Sequence, residues 1–112
     1  MNVDEYFSTG PAWERPIFEA VLAEVRALGP IHVEPVSVGI FIKSTGGWIQ
    51  LRPASEWVSL WFPMSRPIDH PRIARKPIQS GQRFLHMVKL TGPAEVDDLL
   101  RAWLAESYAD FG

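Results

Sequence analysis

The stretch VSVGIFIKSTGGWIQLRPASEWVSLWFPM, residues 36–64, decides the fold. Apolar and polar side chains alternate along Val36–Ser44, Trp48–Pro53 and Trp57–Met64, the period-two pattern of half-buried strands. Thr45-Gly46-Gly47 supplies the glycines that a tight hairpin turn requires, and Pro53-Ala54-Ser55-Glu56 makes the next turn. The stretch therefore predicts a three-strand antiparallel meander. Phe84–Leu90 alternates in the same way and makes a fourth strand. Ile31–Glu34 is a further short strand or a lead-in, because Pro35 interrupts the ladder there.

Helical patterns flank this middle. From Arg15 or Pro16 to Leu28, Ile17, Phe18, Val21, Leu22, Val25 and Leu28 recur at three- and four-residue steps, and Gly29-Pro30 stops the helix. Pro11-Ala12-Trp13 is a separate preceding turn, since Pro16 inside a longer helix would break it. At the other end Gly92-Pro93-Ala94-Glu95 signals a helix start. Val96, Leu99, Leu100, Trp103, Leu104, Tyr108 and Phe111 form its apolar stripe, with Asp97, Asp98, Arg101, Glu106 and Asp110 solvated. The expected architecture is two-layer α+β: an antiparallel sheet of four to five strands with the N- and C-terminal helices packed on one face. Residues 1–112 form a single domain, with residues 1–12 an irregular N-terminal segment. Ser65–Arg83, with Pro67, Pro71 and Pro77, reads as an extended surface crossing.

Composition narrows the function classes. The 112 residues include five Trp and six Phe among 46% hydrophobic residues, enough for one core of the usual ~100–150 residues. No apolar run approaches the ~20 residues that span a bilayer, and Met1–Phe7 carries two acids instead of a basic leader. The absence of Cys excludes disulfides, thiolate nucleophiles and Cys-based metal sites, and suits a reduced, cytoplasmic setting. The net charge of −2 argues against a polyanion binder acting through its whole surface. That total is uneven: residues 1–28 carry −3, residues 29–90 carry +5 and residues 91–112 carry −4. Within the middle, Arg66, Arg72, Arg75, Lys76 and Arg83 face only Asp69, so the long crossing is itself +4.

Strand alternation divides the meander into two faces. Val38, Ile40, Ile42, Ile49, Leu51, Val58, Leu60, Phe62 and Met64 make an aliphatic face for the helices to cover. Phe41, Lys43, Trp48, Gln50, Arg52, Trp57, Ser59 and Trp61 make the other, which mixes aromatics with cations and hydrogen-bonding groups. Parity leaves open which face takes His86. So apolar a face is rarely bare on a small monomer. Three arrangements satisfy it: the Ser65–Arg83 crossing folds over it, a second copy docks on it, or it lines a groove for a ligand or peptide.

No chemistry-bearing motif accompanies this face. The chain lacks a Gly-x-Ser-x-Gly elbow, a phosphate-cradling loop before a helix and His-Glu-x-x-His. Asp97-Asp98 lie a quarter-turn apart among first-turn acids, which fits helix-end complementation. His32, His70 and His86 lack ligand spacing, so neither a metal nor a cofactor is expected.

The ordered series Glu34-Pro35-Val36-Ser37-Val38-Gly39-Ile40, Leu51-Arg52-Pro53 with Trp57, Pro71-Arg72-Ile73, Ser80-Gly81-Gln82-Arg83 with His86, and Val96-Asp97-Asp98-Leu99 with Trp103-Leu104 resembles one family. It is an uncharacterised bacterial family of domains of unknown function, some of whose members carry the label "predicted transport protein". The resemblance spans about residues 13–111. It implies a small α+β domain, found alone or appended to other modules, and no established activity. The family pattern is richer in Lys and Arg where this chain has Ser37, Ala54, Ser55 and Glu56, whereas Arg52, Arg83 and His86 fit it.

The leading expectation is a cytoplasmic, non-enzymatic binding module for a small anionic or polar ligand or a peptide. Its candidate site residues are Lys43, Trp48, Arg52, Trp57, Trp61, Arg75, Lys76, Arg83 and His86. The alternatives are a homodimer formed through the same face, and weak nucleic-acid binding through the 65–83 crossing. The last lacks any helix-turn-helix or RNA-binding signature. No membrane partner is expected.

Overall fold

A computed structural model describes residues 1–112. Six strands fill the middle of the chain: β1 (His32–Val36), β2 (Gly39–Lys43), β3 (Gly47–Pro53), β4 (Val58–Met64), β5 (Ile78–Ser80) and β6 (Arg83–Leu90). Three α-helices, α1 (Val3–Tyr6), α2 (Glu14–Arg26) and α3 (Asp98–Phe111), and a 3-10 turn at Pro93–Glu95 complete it. The strands form one antiparallel sheet in the order β1-β2-β3-β4-β6-β5. The expected α+β fold is present, with one strand more than the upper expectation. No helix is long and apolar enough to cross a membrane.

β5 is the additional strand, and turn chemistry was hidden in two places. Ser37 and Val38 form a two-residue turn between β1 and β2, so Val36–Ser44 is not one strand. Val38 consequently leaves the aliphatic face and is 54% exposed. Pro35 is accommodated because β1 is an edge strand. The crossing between β4 and β6 also contains β5, which pairs with β6 across a hairpin where Gly81 takes a φ of 62°. At the N-terminus, Val3–Tyr6 is helical and capped by the Asn2 side chain, where an irregular segment was expected. Gly92-Pro93 starts only the 3-10 turn, and α3 begins later, with the Asp97 carboxylate accepting from the Leu100 N–H at 3.1 Å.

The core lies between one face of the sheet and helices α2 and α3. Ile40, Ile42, Ile49, Leu51, Val58, Leu60, Phe62 and Met64 are buried there against Ile17, Phe18, Val21 and Val25 of α2 and Leu100, Trp103 and Leu104 of α3. Trp48 joins them, which corrects its expected place on the opposite face. Ile42 pairs with Ile49 but Lys43 pairs with Gly47, so Trp48 is the extra residue of a β-bulge. The bulge turns its indole toward α3, where Nε1 donates to Ser107 Oγ at 2.9 Å and the ring meets Tyr108 edge-on. The Ser107 hydroxyl in turn donates to the Pro63 carbonyl, which ties α3 to both β3 and β4.

His86 is also on this inner face, opposite Phe62 and fully buried. Its Nε2 accepts from the Ile68 backbone N–H at 2.9 Å, so Nδ1 carries the proton and donates to the Phe84 carbonyl at 2.7 Å. Burial, aided by the Arg66 charge, holds the imidazole below its ordinary pKa despite the Phe84 hydrogen bond. The neutral ring thereby pins the start of the long crossing to the helix side. Arg66 and Arg72 anchor it further on Glu106 and Asp97, at 2.9 and 2.6 Å.

Ser107→Ala strands a buried indole N–H, and urea unfolding is expected to show a loss of about 1–3 kcal/mol. The double variant Trp48→Phe, Ser107→Ala should lose less than the two single losses combined, because the orphaned donor is gone. A second expectation concerns pH. Unfolded His86 takes up a proton near the ordinary value of about 6.5, whereas the folded ring resists it. Stability from this residue is thus present above about pH 6.5 and is lost as pH falls toward the folded-state pKa. His86→Leu should lower the urea midpoint at neutral pH yet flatten its decline over that acidic window. An unchanged slope in the variant would refute the assignment.

Candidate functional site

The outer face of the sheet is built by register. One row runs Glu34, Phe41, Gln50, Trp61 and Met87 across five strands, and the next runs Val36, Gly39, Arg52, Ser59 and Lys89. The missing side chain at Gly39 has a purpose in the second row. A Cβ there would meet the Leu51 carbonyl at 2.4 Å and Arg52 Cγ at 3.3 Å, so the glycine lets the Arg52 stem lie down on the strand.

The two tryptophans of this face are each met by a cation. Lys89 Nζ lies 4.1 Å from the centre of the Trp57 ring, and the Arg75 guanidinium carbon lies 5.8 Å from that of Trp61. Trp57 Nε1 donates to Ser59 Oγ at 3.0 Å, which sets the indole along the strand. Arg75 reaches the face because the Ala74 N–H bonds to the Met87 carbonyl at 2.8 Å, bringing the crossing against the free edge of β6. Lys43 completes the cations, paired with Glu34 at 2.6 Å, and that contact holds the Glu34 carboxyl below its ordinary pKa. Four cations therefore share the face with one acid, Glu34.

Of the residues expected at the site, Lys43, Arg52, Trp57, Trp61 and Arg75 come together here. Lys76 follows Arg75 in the crossing, and both border a recess of about 420 Å³ that also exposes Asp69 and His70. Three candidates lie elsewhere. Trp48 and His86 belong to the inner core, and Arg83 sits over the Phe111 ring at 4.8 Å, near the C-terminal end of α3. Within the crossing, Arg66 and Arg72 pair with acids of the helix layer, whereas Arg75, Lys76 and Arg83 make no ion pair. The crossing does not blanket the aromatic face: Pro67–Ile73 packs toward α3, with Ile68 in the core and His70 edge-on to Trp103.

Lys89 was missed by sequence reasoning. Its position in the fourth strand carried the signal, but only the pairing of Ser59 with Lys89 settles its side of the sheet. Lys43, Arg52, Trp57, Trp61 and Lys89 line none of the five main concavities, and only Arg75 joins the face to the 420 Å³ recess, so what the face presents is broad and shallow. Half-buried indoles between guanidinium and ammonium groups can hold carboxylates or phosphates on an apolar floor.

No curated protein and no solved structure matches this chain. A family model does, over residues 3–110, which takes in both helices of the inner layer and every strand of the sheet. The chain belongs to the family described as Domain of unknown function (DUF5655).

Proposed function

We propose that the protein is a small cytoplasmic, non-enzymatic binding module whose outer sheet face holds an acidic peptide segment of a partner protein. The observation that carries this reading is the charge on that face: Lys43, Arg52, Arg75 and Lys89 against Glu34 alone, around Trp57 and Trp61. The helix layer holds the opposite balance, with Glu19, Glu24, Asp97, Asp98, Glu106 and Asp110 among its acids. Small-molecule sites are concave, and the shallowness of this face favours an extended partner. A second copy docked face to face would set Arg52, Arg75 and Lys89 against their own kind, so charge opposes the homodimer on this surface.

Titration of the protein with an oligo-glutamate peptide tests the reading. Binding is expected at low salt and should weaken as salt rises. Arg52→Ala with Lys89→Ala should reduce the affinity about tenfold or more while leaving thermal stability nearly unchanged, because exposed charges contribute little to folding. Equal affinity of wild type and double variant, or no binding at low salt, would remove the outer face as the site.

A further inference from the structure

Ser59 is a small side chain on the outer sheet face, ringed by large ones. Across the sheet it pairs with Arg52 on β3 and with Lys89 on β6, and directly opposed side chains of neighbouring strands stand about 5 Å apart at Cβ. Trp61 lies two residues further along β4 and so shares the face. Trp57, two residues before Ser59, is held beside it by the bond from Nε1 to Ser59 Oγ. The face therefore dips at Ser59, between two indole walls and two long cationic side chains. Ser59 is half-buried at the floor of the dip, and Arg52 and Lys89 at its rim are exposed.

Each wall of the dip carries a cation. Lys89 Nζ lies 4.1 Å from the centre of the Trp57 ring, and the Arg75 guanidinium carbon lies 5.8 Å from that of Trp61. The floor carries a donor. Ser59 Oγ accepts the Trp57 N–H at 3.0 Å, so its own proton is left to donate, and no group of the chain accepts it. Arg52 is uncommitted as well: its stem rests against Gly39, and neither it nor Arg75 nor Lys89 makes an ion pair. Glu56, three residues before Ser59, pairs with none of them, and Glu34 is spent on Lys43.

We propose that this dip receives a phosphoryl group, carried as a phosphoserine side chain on the partner's acidic segment. The inference rests on the outer-face reading above and names the group that anchors it. A phosphomonoester brings a charge of about −1.5 to −2 and three strong acceptor oxygens, where a carboxylate brings one charge and two oxygens. The dip offers a matching set: the Ser59 hydroxyl beneath, Lys89 and Arg75 from the two walls, and Arg52 from the facing strand. Rotamer changes of exposed side chains are enough to close the cationic heads on the phosphate. The indole walls lower the local dielectric, which strengthens those charge-assisted bonds. An extended segment laid on so shallow a face reaches the floor with a short side chain, which favours phosphoserine.

The test titrates the protein with three short peptides that differ at one position, phosphoserine, glutamate or serine, and with inorganic phosphate, at matched ionic strength. The Trp57 indole N–H is followed by NMR. The phosphoserine peptide is expected to move that resonance saturably and to bind about tenfold or more tighter than the glutamate peptide, with the serine peptide inert. Ser59→Ala should cost about tenfold of the phosphoserine affinity and leave oligo-glutamate binding nearly unchanged. Ser59→Thr keeps the hydroxyl and should retain most of the affinity, whereas Ser59→Asp fills the dip with a carboxylate and should abolish it. Equal affinity for the phosphoserine and glutamate peptides, or a Ser59→Ala protein as good as wild type, would overturn the phosphoryl anchor, and continued oligo-glutamate binding would leave the acidic-partner reading standing. Absence of binding to oligo-glutamate and to all three peptides removes both. Inorganic phosphate bound as tightly as the phosphoserine peptide would overturn the partner's phosphoserine in favour of free phosphate. The three-peptide comparison uses wild-type protein, so it decides the matter even if a Ser59 variant fails to fold.

Discussion

The hydrogen bond from the Ile68 N–H to the buried imidazole of His86 is the contact on which the rest of the arrangement depends. A neutral ring that accepts from the crossing and donates to its own strand can sit in an apolar core without an unsatisfied atom. Because it sits there, the chain leaving β4 is drawn under α3 instead of over the outer face. Ile68 then fills the core, His70 stacks edge-on against Trp103, and Arg72 bridges to Asp97 and the Glu95 carbonyl. Only after this detour does the chain return to the sheet, at the edge of β6.

Charge segregation follows from the same route. Arg66 and Arg72 are carried to the acidic helix layer and paired there, while Arg75 emerges at the sheet edge and turns onto Trp61. The helix layer keeps its excess of acid and the outer sheet face keeps four cations with Glu34 alone. The bulge at Trp48 acts in the same direction, since it removes one of the three meander tryptophans from the outer face and gives it to α3. What remains outside is more polar than simple alternation implies.

Periodicity was a good guide wherever one physical rule decided the outcome. The stripe Ile17, Phe18, Val21, Val25 had to face the sheet, and the alternation of Ile40, Ile42, Leu60 and Phe62 had to face the helices, because both patterns bury apolar area only that way. Lys43, Arg52, Trp57 and Trp61 were placed correctly for the same reason. Periodicity failed where two rules competed. Ser37-Val38 carries no glycine or proline to announce its turn, and Ile78–Ser80 is too short to show alternation.

The sequence alone determined the α+β class, the antiparallel meander and the two helices over its aliphatic side, since these follow from local turn chemistry and the direction in which apolar side chains must point. Tertiary structure alone decided three things. It placed His86 inward, turned Trp48 across the sheet and sorted the basic crossing into paired and unpaired cations. The physical reason is shared by all three. A strand's parity is fixed only relative to its neighbour, and a single bulge or a single buried hydrogen bond to a distant segment is enough to reassign a side chain from one face to the other.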